Sequence, residues 1–333
     1  MRSSLLAQTI RAHHAIRRPM LIEGQPGCGK TSIPRQVAAE MGIGYIEINV
    51  PEIPMEDYGM PVINDARDGI RYVVPGEDFP FVGSEFPEEG FLVADELSGG
   101  NTDVQKIWSR ITQTRELRGR SLMPGWTIIS TGNRTQDKAG ANRILSMLAN
   151  RMTRYTMEPH LDDWCNWALD KGGVDPIVVA FVRFKPALLS NFDPQQDSNP
   201  TPRSWAEGVS PLLGVLPAEA EFESFKGSVG EGAAAEFTAF LRMYRELPNP
   251  DAVIMDPENA AVPTRMDVLF ATSAAVASRA SSGNFERVMT YLKRLPPEFM
   301  VLGVRDSIRA DRSVTQSAAF THWASHEGKD VLL

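Results

Sequence analysis

Short apolar runs and helix-periodic stretches alternate along the first half of this chain. Pro19-Met20-Leu21-Ile22-Glu23 has the length and apolarity of a buried parallel strand. Ser32–Met41 places apolar residues at 33, 37, 38 and 41, the spacing of one helix face, and Pro34 falls in the first turn, where no N–H is missed. Gly44–Val50 alternates with period two and predicts a second strand. Gly90–Leu97 is a fully apolar strand ending in two acids, Val104, Ile107, Trp108 and Ile111 mark a helix, and Gly125–Thr131 is another buried strand. Residues 144–152 read as helical and run into a short strand, Tyr155-Thr156-Met157. Strands alternating with helices predict an α/β fold around a parallel sheet.

The segments around this frame are less regular. A leading helix is expected to bury Leu5, Leu6 and Ile10. Residues 51–89, rich in Pro, Gly, Asp and Glu, hold a small hairpin around Gly69–Gly76 and are long enough to suggest a functional insertion. From about Glu158 the strand pattern stops. Trp164, Trp167, Ile177, Phe181 and Phe184 are the expected core there, a polar break covers 191–202, and Phe237, Phe240, Leu241 and Tyr244 mark an amphipathic helix.

The candidate chemistry lies at the ends of the strands. Gly24-Gln25-Pro26-Gly27-Cys28-Gly29-Lys30-Thr31 matches G-x-x-x-x-G-K-[ST] and sits between a strand and a helix that opens at Ser32. Glycines let successive backbone N–H groups face phosphate oxygens, Lys30 supplies a cation, and the Thr31 hydroxyl suits Mg2+, so the loop predicts binding of a nucleoside triphosphate. A doubly buried strand that ends in Asp95-Glu96 points its carboxyl edge at a site. Asp95 is expected to hold Mg2+, and Glu96 to orient and deprotonate water. Asn133, at the tip of the 125–131 strand, offers a neutral amide to phosphate or water, and Thr131 and Arg134 reach the same edge.

Composition narrows the partners. The chain has 333 residues, 42% of them hydrophobic, enough for about two domains. A net charge of −8 disfavours nucleic acid as the main partner. Two cysteines, Cys28 and Cys165, suit a reducing cytoplasm. No run approaches the roughly 18 apolar residues of a membrane span, which argues against a membrane protein. Arg2, Arg11, Arg17 and Arg18, with no acid among them, superficially resemble a transit peptide, but the segment leads directly into the loop-bearing strand and reads as structural.

The ordered set GQPGCGKT, FLVADEL, TGN, LANRM and TPR resembles the AAA+ ATPases, in particular the MoxR branch of the dynein–midasin group, over roughly residues 15–210. The resemblance implies a P-loop NTPase αβα sandwich over 1–158, a helical lid over 159–212 and a helical C-terminal region over 213–333. It implies ATP and Mg2+ as cofactors, Asn133 as sensor 1, Arg151 as a finger acting on a neighbouring subunit, with Arg154 or Arg143 as substitutes, and Arg203 as the sensor-2 contact to nucleotide. It implies a homo-oligomeric, hexameric ring that remodels or activates a client protein, with an adaptor carrying a von Willebrand factor A domain. Leu97-Ser98 and Met152 depart from the family's usual Ile-Asn and Phe, a change expected to alter packing rather than chemistry.

Rival readings are a nucleic-acid-stimulated motor touching phosphate through Arg110, Arg115, Arg118 and Arg120, and a small-molecule kinase. The adjacent acids, suited to water activation, weigh against the kinase. His322 and His326, four apart, form an incomplete metal pair. Cys28, beside a helix N-terminus, is a small filler whose pKa that position could lower.

Overall fold

The computed structural model describes residues 1–54, 58–64, 69–73, 79–134, 137 and 142–328. The chain forms two compact units, Met1–His160 with Phe192–Gln195, and Leu161–Asn191 with Gln196–Leu333.

The first unit runs α1 (Ser3–Ala15), β1 (Met20–Gly24), α2 (Ser32–Met41), β2 (Gly44–Asn49), β3 (Met60–Asn64), β4 (Gly69–Val73), β5 (Glu89–Asp95), α3 (Thr102–Thr114), β6 (Glu116–Leu117), β7 (Arg120–Ser121), β8 (Gly125–Asn133), α4 (Ser146–Ala149) and β9 (Thr153–Thr156). Five strands form one parallel sheet in the order β2-β5-β8-β1-β9. The architecture is the expected αβα sandwich.

Strand alternation divides the apolar runs between two cores. Met20, Ile22, Phe91, Val93 and Ile129 pack with Leu6 and Ile10 of α1 and Val37 and Ala38 of α2. Leu21, Leu92, Ala94, Trp126 and Ile128 face the other way, onto Val104, Trp108 and Ile111 of α3. Each run is apolar throughout because both of its faces are covered. Leu5, expected in the core, is 46% exposed; Leu6 and Ile10 carry the burial, joined by His13 and His14.

The insertion after β2 holds an antiparallel hairpin, Met60–Asn64 against Gly69–Val73, which starts earlier than the expected 69–76 span. Gly76 and its neighbours at 74–78 lie outside the described residues. Phe79 and Phe81 anchor the end of the insertion in the core beside Trp108, and Phe81 bridges to Leu122. The charged turn after α3 is a tight hairpin of β6 and β7, with Arg118 and Gly119 both at positive φ.

The second unit is helical: α5 (Leu161–Asp170), α6 (Pro176–Phe184), α7 (Ala218–Val229), α8 (Glu231–Arg245), α9 (Pro250–Met255), α10 (Met266–Ala277), α11 (Phe285–Leu292), α12 (Pro297–Ala310) and α13 (Ala318–His326). Trp164, Ile177 and Phe181 are buried as expected, and Trp167 and Phe184 pack partly buried against the same cluster. Trp205 meets Phe237 edge-on at 5.6 Å, so the core continues through residue 212. A second cluster joins α9 to α13 around Phe285, Tyr291 and Trp323. Arg183 and Asp306 form a nearly buried ion pair, and Arg309 extends it to Asp170.

Two sites in the first unit give direct tests. Gly44 and Gly90 are register partners beneath the Trp126 indole, and a methyl on Gly90 would lie 2.7 Å from the Gly44 carbonyl oxygen and 2.8 Å from the ring. Gly90→Ala should therefore cost about 1–3 kcal/mol through overpacking, read as a lower denaturant midpoint with an unchanged slope.

His14 is buried on α1, with Nδ1 2.9 Å from the Thr127 hydroxyl and Nε2 2.7 Å from the Arg17 guanidinium. A guanidinium only donates, so Nε2 is the acceptor, Nδ1 carries the proton and the ring is neutral. Burial, then Arg17, holds the His14 pKa below its ordinary 6.5. The folded chain thus binds fewer protons than the unfolded chain. The contribution is complete above the ordinary value and is lost as pH falls below it. Between about pH 7.5 and about pH 5.5, unfolding free energy should fall more steeply for wild type than for His14→Gln, measured by denaturant titration.

Candidate nucleotide site

The tips of β1, β8 and β5 meet at the carboxyl edge of the sheet. Gly24 ends β1 and is the register partner of Asn133, the last residue of β8. Beyond Gly24 the chain turns through Gln25-Pro26-Gly27-Cys28-Gly29 and enters α2 at Ser32, directly after Lys30 and Thr31. Gly27 and Gly29 have φ of 70° and 101°, a backbone that glycine adopts without steric cost. Gly24 is needed for closeness: a methyl there would lie 2.9 Å from both Cys28 Sγ and the Met157 carbonyl oxygen.

Lys30 arches back over this loop. Its ammonium donates to the carbonyl oxygens of Gly24 at 3.1 Å and Gln25 at 2.8 Å, and to Asn133 Oδ1 at 3.0 Å. With Oδ1 engaged by the lysine, the Asn133 amide N–H groups are the donors it can offer an anion or a water. Lys30 and Asn133, distant in sequence, therefore act at one point.

The acidic strand joins through hydroxyls. Thr31 Oγ1 donates to Asp95 Oδ1 at 2.7 Å, and the Thr131 hydroxyl of β8 donates to the same oxygen. Strand parity explains the meeting, because Phe91, Val93 and Asp95 share the α1–α2 face of the sheet with Ile129 and, by alternation, Thr131. Glu96 lies just past the strand, with an exposed side chain and left-handed backbone at φ 52°, ψ 38°. That geometry costs a non-glycine residue roughly 1–2 kcal/mol and turns the glutamate out of the strand direction.

Two polar contributors escape motif reading. Ser98 is buried, and its Oγ accepts the Asn133 backbone N–H at 3.0 Å. The Ser98 departure thus bears on how the asparagine strand tip is held. Asn49, register partner of Asp95, ends β2 with its Oδ1 buried and without a hydrogen-bond partner.

The arginines are placed unequally. Arg151 follows α4, which is shorter than the expected 144–152 helix, and its guanidinium donates to the carbonyl oxygen of Ser109 on α3 at 2.7 Å and to the Ser109 hydroxyl. Arg154 pairs with Glu23 at 2.7 Å. Arg143 is exposed and lines a cleft of about 280 Å3 together with Glu23, Asn133, Asn150 and Arg154. In the helical unit, Arg203 precedes a π-helical segment, Ser204–Val209, and lies exposed 4.0 Å from Glu207. Arg134 forms a paired contact with Asp137 at 2.8 Å and is committed within its own turn.

Lesser candidates resolve physically. Burial raises the Cys28 thiol pKa in spite of nearby Lys30, overturning the expectation that its place beside a helix could lower it, and burial pushes Cys165 up to about 11. Of the basic-turn arginines, Arg115 donates to the carbonyls of Met123 and Trp126 and Arg120 lies over the Phe81 ring at 4.1 Å, so both serve the hairpin's own structure. His322 and His326 stack at 4.5 Å, and among the described residues no group of three or more metal-binding side chains gathers. Among the same residues, no helix is long and apolar enough to cross a membrane.

A family model described as "ATPase family associated with various cellular activities (AAA)" matches residues 20–74, a span that takes in β1, the phosphate loop, α2 and β2. No curated protein matches the chain. Among solved structures, NtrX from Brucella abortus is similar at 16% identity, covering 99% of this chain and 68% of NtrX with a TM-score of 0.36. The same protein in complex with ATP gives 16% identity, 99% and 67% coverage and a TM-score of 0.35. A RuvB variant from Thermotoga maritima is similar at 14% identity, covering 81% of this chain and 80% of that one with a TM-score of 0.40. At these TM-scores the likenesses carry no weight beside the strand order and the loop themselves. The phosphate loop, the acidic strand and the match over 20–74 together support an AAA-type nucleotide-binding ATPase core.

Proposed function

We propose that this chain is a Mg2+-dependent ATPase of the MoxR-like AAA+ type, whose copies assemble into a hexameric ring and use hydrolysis to remodel or activate a client protein in the cytoplasm. The observation that carries the reading is the convergence of Lys30 and Thr31, in the loop after β1, with Asn133 at the tip of β8 and Asp95 at the tip of β5, through hydrogen bonds of 3.0 and 2.7 Å. Glycine loop, cation, hydroxyl, carboxylate and amide are the parts phosphoryl transfer to water requires, since its catalysis is mainly positioning and charge stabilisation.

The donor set fits a hard cation. Thr31 and Asp95 supply neighbouring oxygens, and Mg2+ takes one or two protein oxygens while keeping waters and phosphate ligands. Held by Thr31 and Asp95, Mg2+ would supply positive charge against the phosphate oxygens. Lys30 releases its loop carbonyls to bind the same phosphates. Asn133 orients phosphate and water through its amide, and Glu96, turned out of the strand, accepts the proton of the attacking water.

Arg151 acts on the neighbouring subunit's γ-phosphate, and Arg203 senses nucleotide from the helical unit. A finger working across subunits implies a head-to-tail ring, because the donating and receiving surfaces differ. The client is a protein, recruited with an adaptor of the von Willebrand factor A type. The internal use of Arg115 and Arg120 leaves the nucleic-acid-stimulated reading with less basic surface than the sequence offered.

ATP turnover measured against protein concentration tests the reading. Specific activity should rise with assembly. Glu96→Gln should lower kcat by about 10²–10⁴, as loss of a general base does, and Arg151→Ala by about 10³–10⁵. Lys30→Ala should abolish turnover. Mixing Arg151→Ala with Lys30→Ala should restore part of the activity, because each supplies what the other lacks. Unchanged turnover in Glu96→Gln, or no recovery on mixing, sinks the corresponding assignment.

A further inference from the structure

Among the described residues, Thr131 is the fully buried hydroxyl-bearing residue hydrogen-bonded to both members of the Asp95-Glu96 pair. Its hydroxyl donates to Asp95 Oδ1, and its oxygen accepts the Glu96 backbone N–H at 3.1 Å. A threonine hydroxyl has a single proton. Once that proton is given to Asp95, a lone pair is left for the Glu96 N–H, so the two bonds fix one another's direction.

The bonds arise from the sheet itself. β5 and β8 are adjacent and parallel, with Val93 opposite Ile129 and Ala94 opposite Ser130, so the next pair brings Asp95 beside Thr131. Glu96 leaves the ladder in a left-handed conformation, and its N–H has a side-chain acceptor instead of a backbone one. Two further contacts hold the turn: the Gly99 N–H donates to the Glu96 carbonyl oxygen at 2.7 Å, and Ser98 Oγ receives the Asn133 N–H. Thr31 bonds the same Asp95 oxygen, so its hydroxyl can leave for a cation while Thr131 still holds the carboxylate.

We infer that Thr131 is a positioning residue that couples the metal side of the site, Asp95, to the water side, Glu96. This rests on the ATPase reading above, and it assigns the tip of β8 a role separate from that of Asn133. Thr131 does not touch substrate. It sets where the Asp95 oxygens point and keeps Glu96 in its left-handed turn at the end of the strand. Loss of the hydroxyl would leave Asp95 with one fewer donor and the Glu96 N–H without its acceptor, at unchanged side-chain volume.

Thr131→Val and Thr131→Ser separate this role from packing. Both should fold, as judged by cooperative thermal unfolding. In Thr131→Val, the Mg2+ concentration giving half-maximal ATP turnover should rise and kcat should fall, each by about tenfold, the order expected for losing hydrogen bonds to a charged group. Binding of a fluorescent ADP analogue in EDTA should stay within about twofold, because the loop and Lys30 are untouched. Thr131→Ser, which keeps the hydroxyl, should restore both parameters to within about threefold.

The proposal is overturned if Thr131→Val keeps the wild-type Mg2+ dependence, if its Mg2+-free nucleotide binding falls in parallel with kcat, or if the serine variant behaves as the valine one does. Absence of ATP hydrolysis by wild type would instead defeat the functional reading. Thr131 would then be judged by how far Mg2+ tightens binding of the ADP analogue: tightening in wild type and serine but not valine upholds the coupling, and any other pattern overturns it.

Discussion

The site depends on one topological constraint, the insertion of β8 between β1 and β5. Had the phosphate-loop strand and the acidic strand been neighbours, no third strand tip could stand between them. With β8 interposed, Asn133 lies opposite Gly24 on one side, and Thr131 follows the Ala94–Ser130 pair on the other. A single strand thereby reaches both Lys30 and Asp95, by side chains two residues apart on the same face. The parallel register fixes which side chains meet, since a slip of one residue would turn Thr131 and Asn133 to the opposite face.

The energetic arrangement follows from that geometry. The buried center of the sheet is mainly apolar on both faces, with Thr127 bonded to His14 as a polar exception, and the polar groups of the site gather at the strand tips. Asp95 takes two hydroxyl donors, Lys30 takes three acceptors, and Ser98 satisfies the Asn133 N–H. Glu96 is the departure from this economy. It sits in left-handed backbone with an exposed carboxylate, and the bonds of its N–H and C=O are what maintain the strained turn.

Much of this was legible in the sequence for a simple reason: the sheet strands are local patterns. Three apolar runs and one alternating stretch gave four of the five strands nearly at their ends, and the glycine loop announced itself by residue order. What was illegible depends on neighbours supplied by topology. Residue order puts Thr131 at the carboxyl edge and Thr127 nearer the middle of the strand, but does not give their partners: one bonds Asp95 and the other His14 on α1. Ser98 looked like a packing change because its partner lies 35 residues away. The lowering of the Cys28 pKa that its place beside a helix N-terminus suggested is a local reading, whereas the burial that raises the pKa comes from a cluster with Met157, Val37 and the sheet. Leu5 shares the apolar character of Leu6 but occupies the wrong angle of the helix, and alternation between two adjacent leucines could not decide that.

The arginines raise a further question of physics. Arg151 is anchored to Ser109, and an anchored guanidinium might be thought unfit to reach another subunit. The opposite argument is stronger. A guanidinium carries five N–H donors, and the bonds to Ser109 use a single nitrogen, Nη1. Fixing that nitrogen removes rotamer freedom before any partner arrives, so less entropy is lost when Nη2 and Nε engage an anion. Arg154, with both Nε and Nη2 given to Glu23, has spent the donors that a bidentate phosphate contact would use. Arg143, with an exposed side chain, would have to lose that freedom on contact. Preorganisation thus ranks Arg151 ahead of its two neighbours, on grounds independent of the motif that first singled it out.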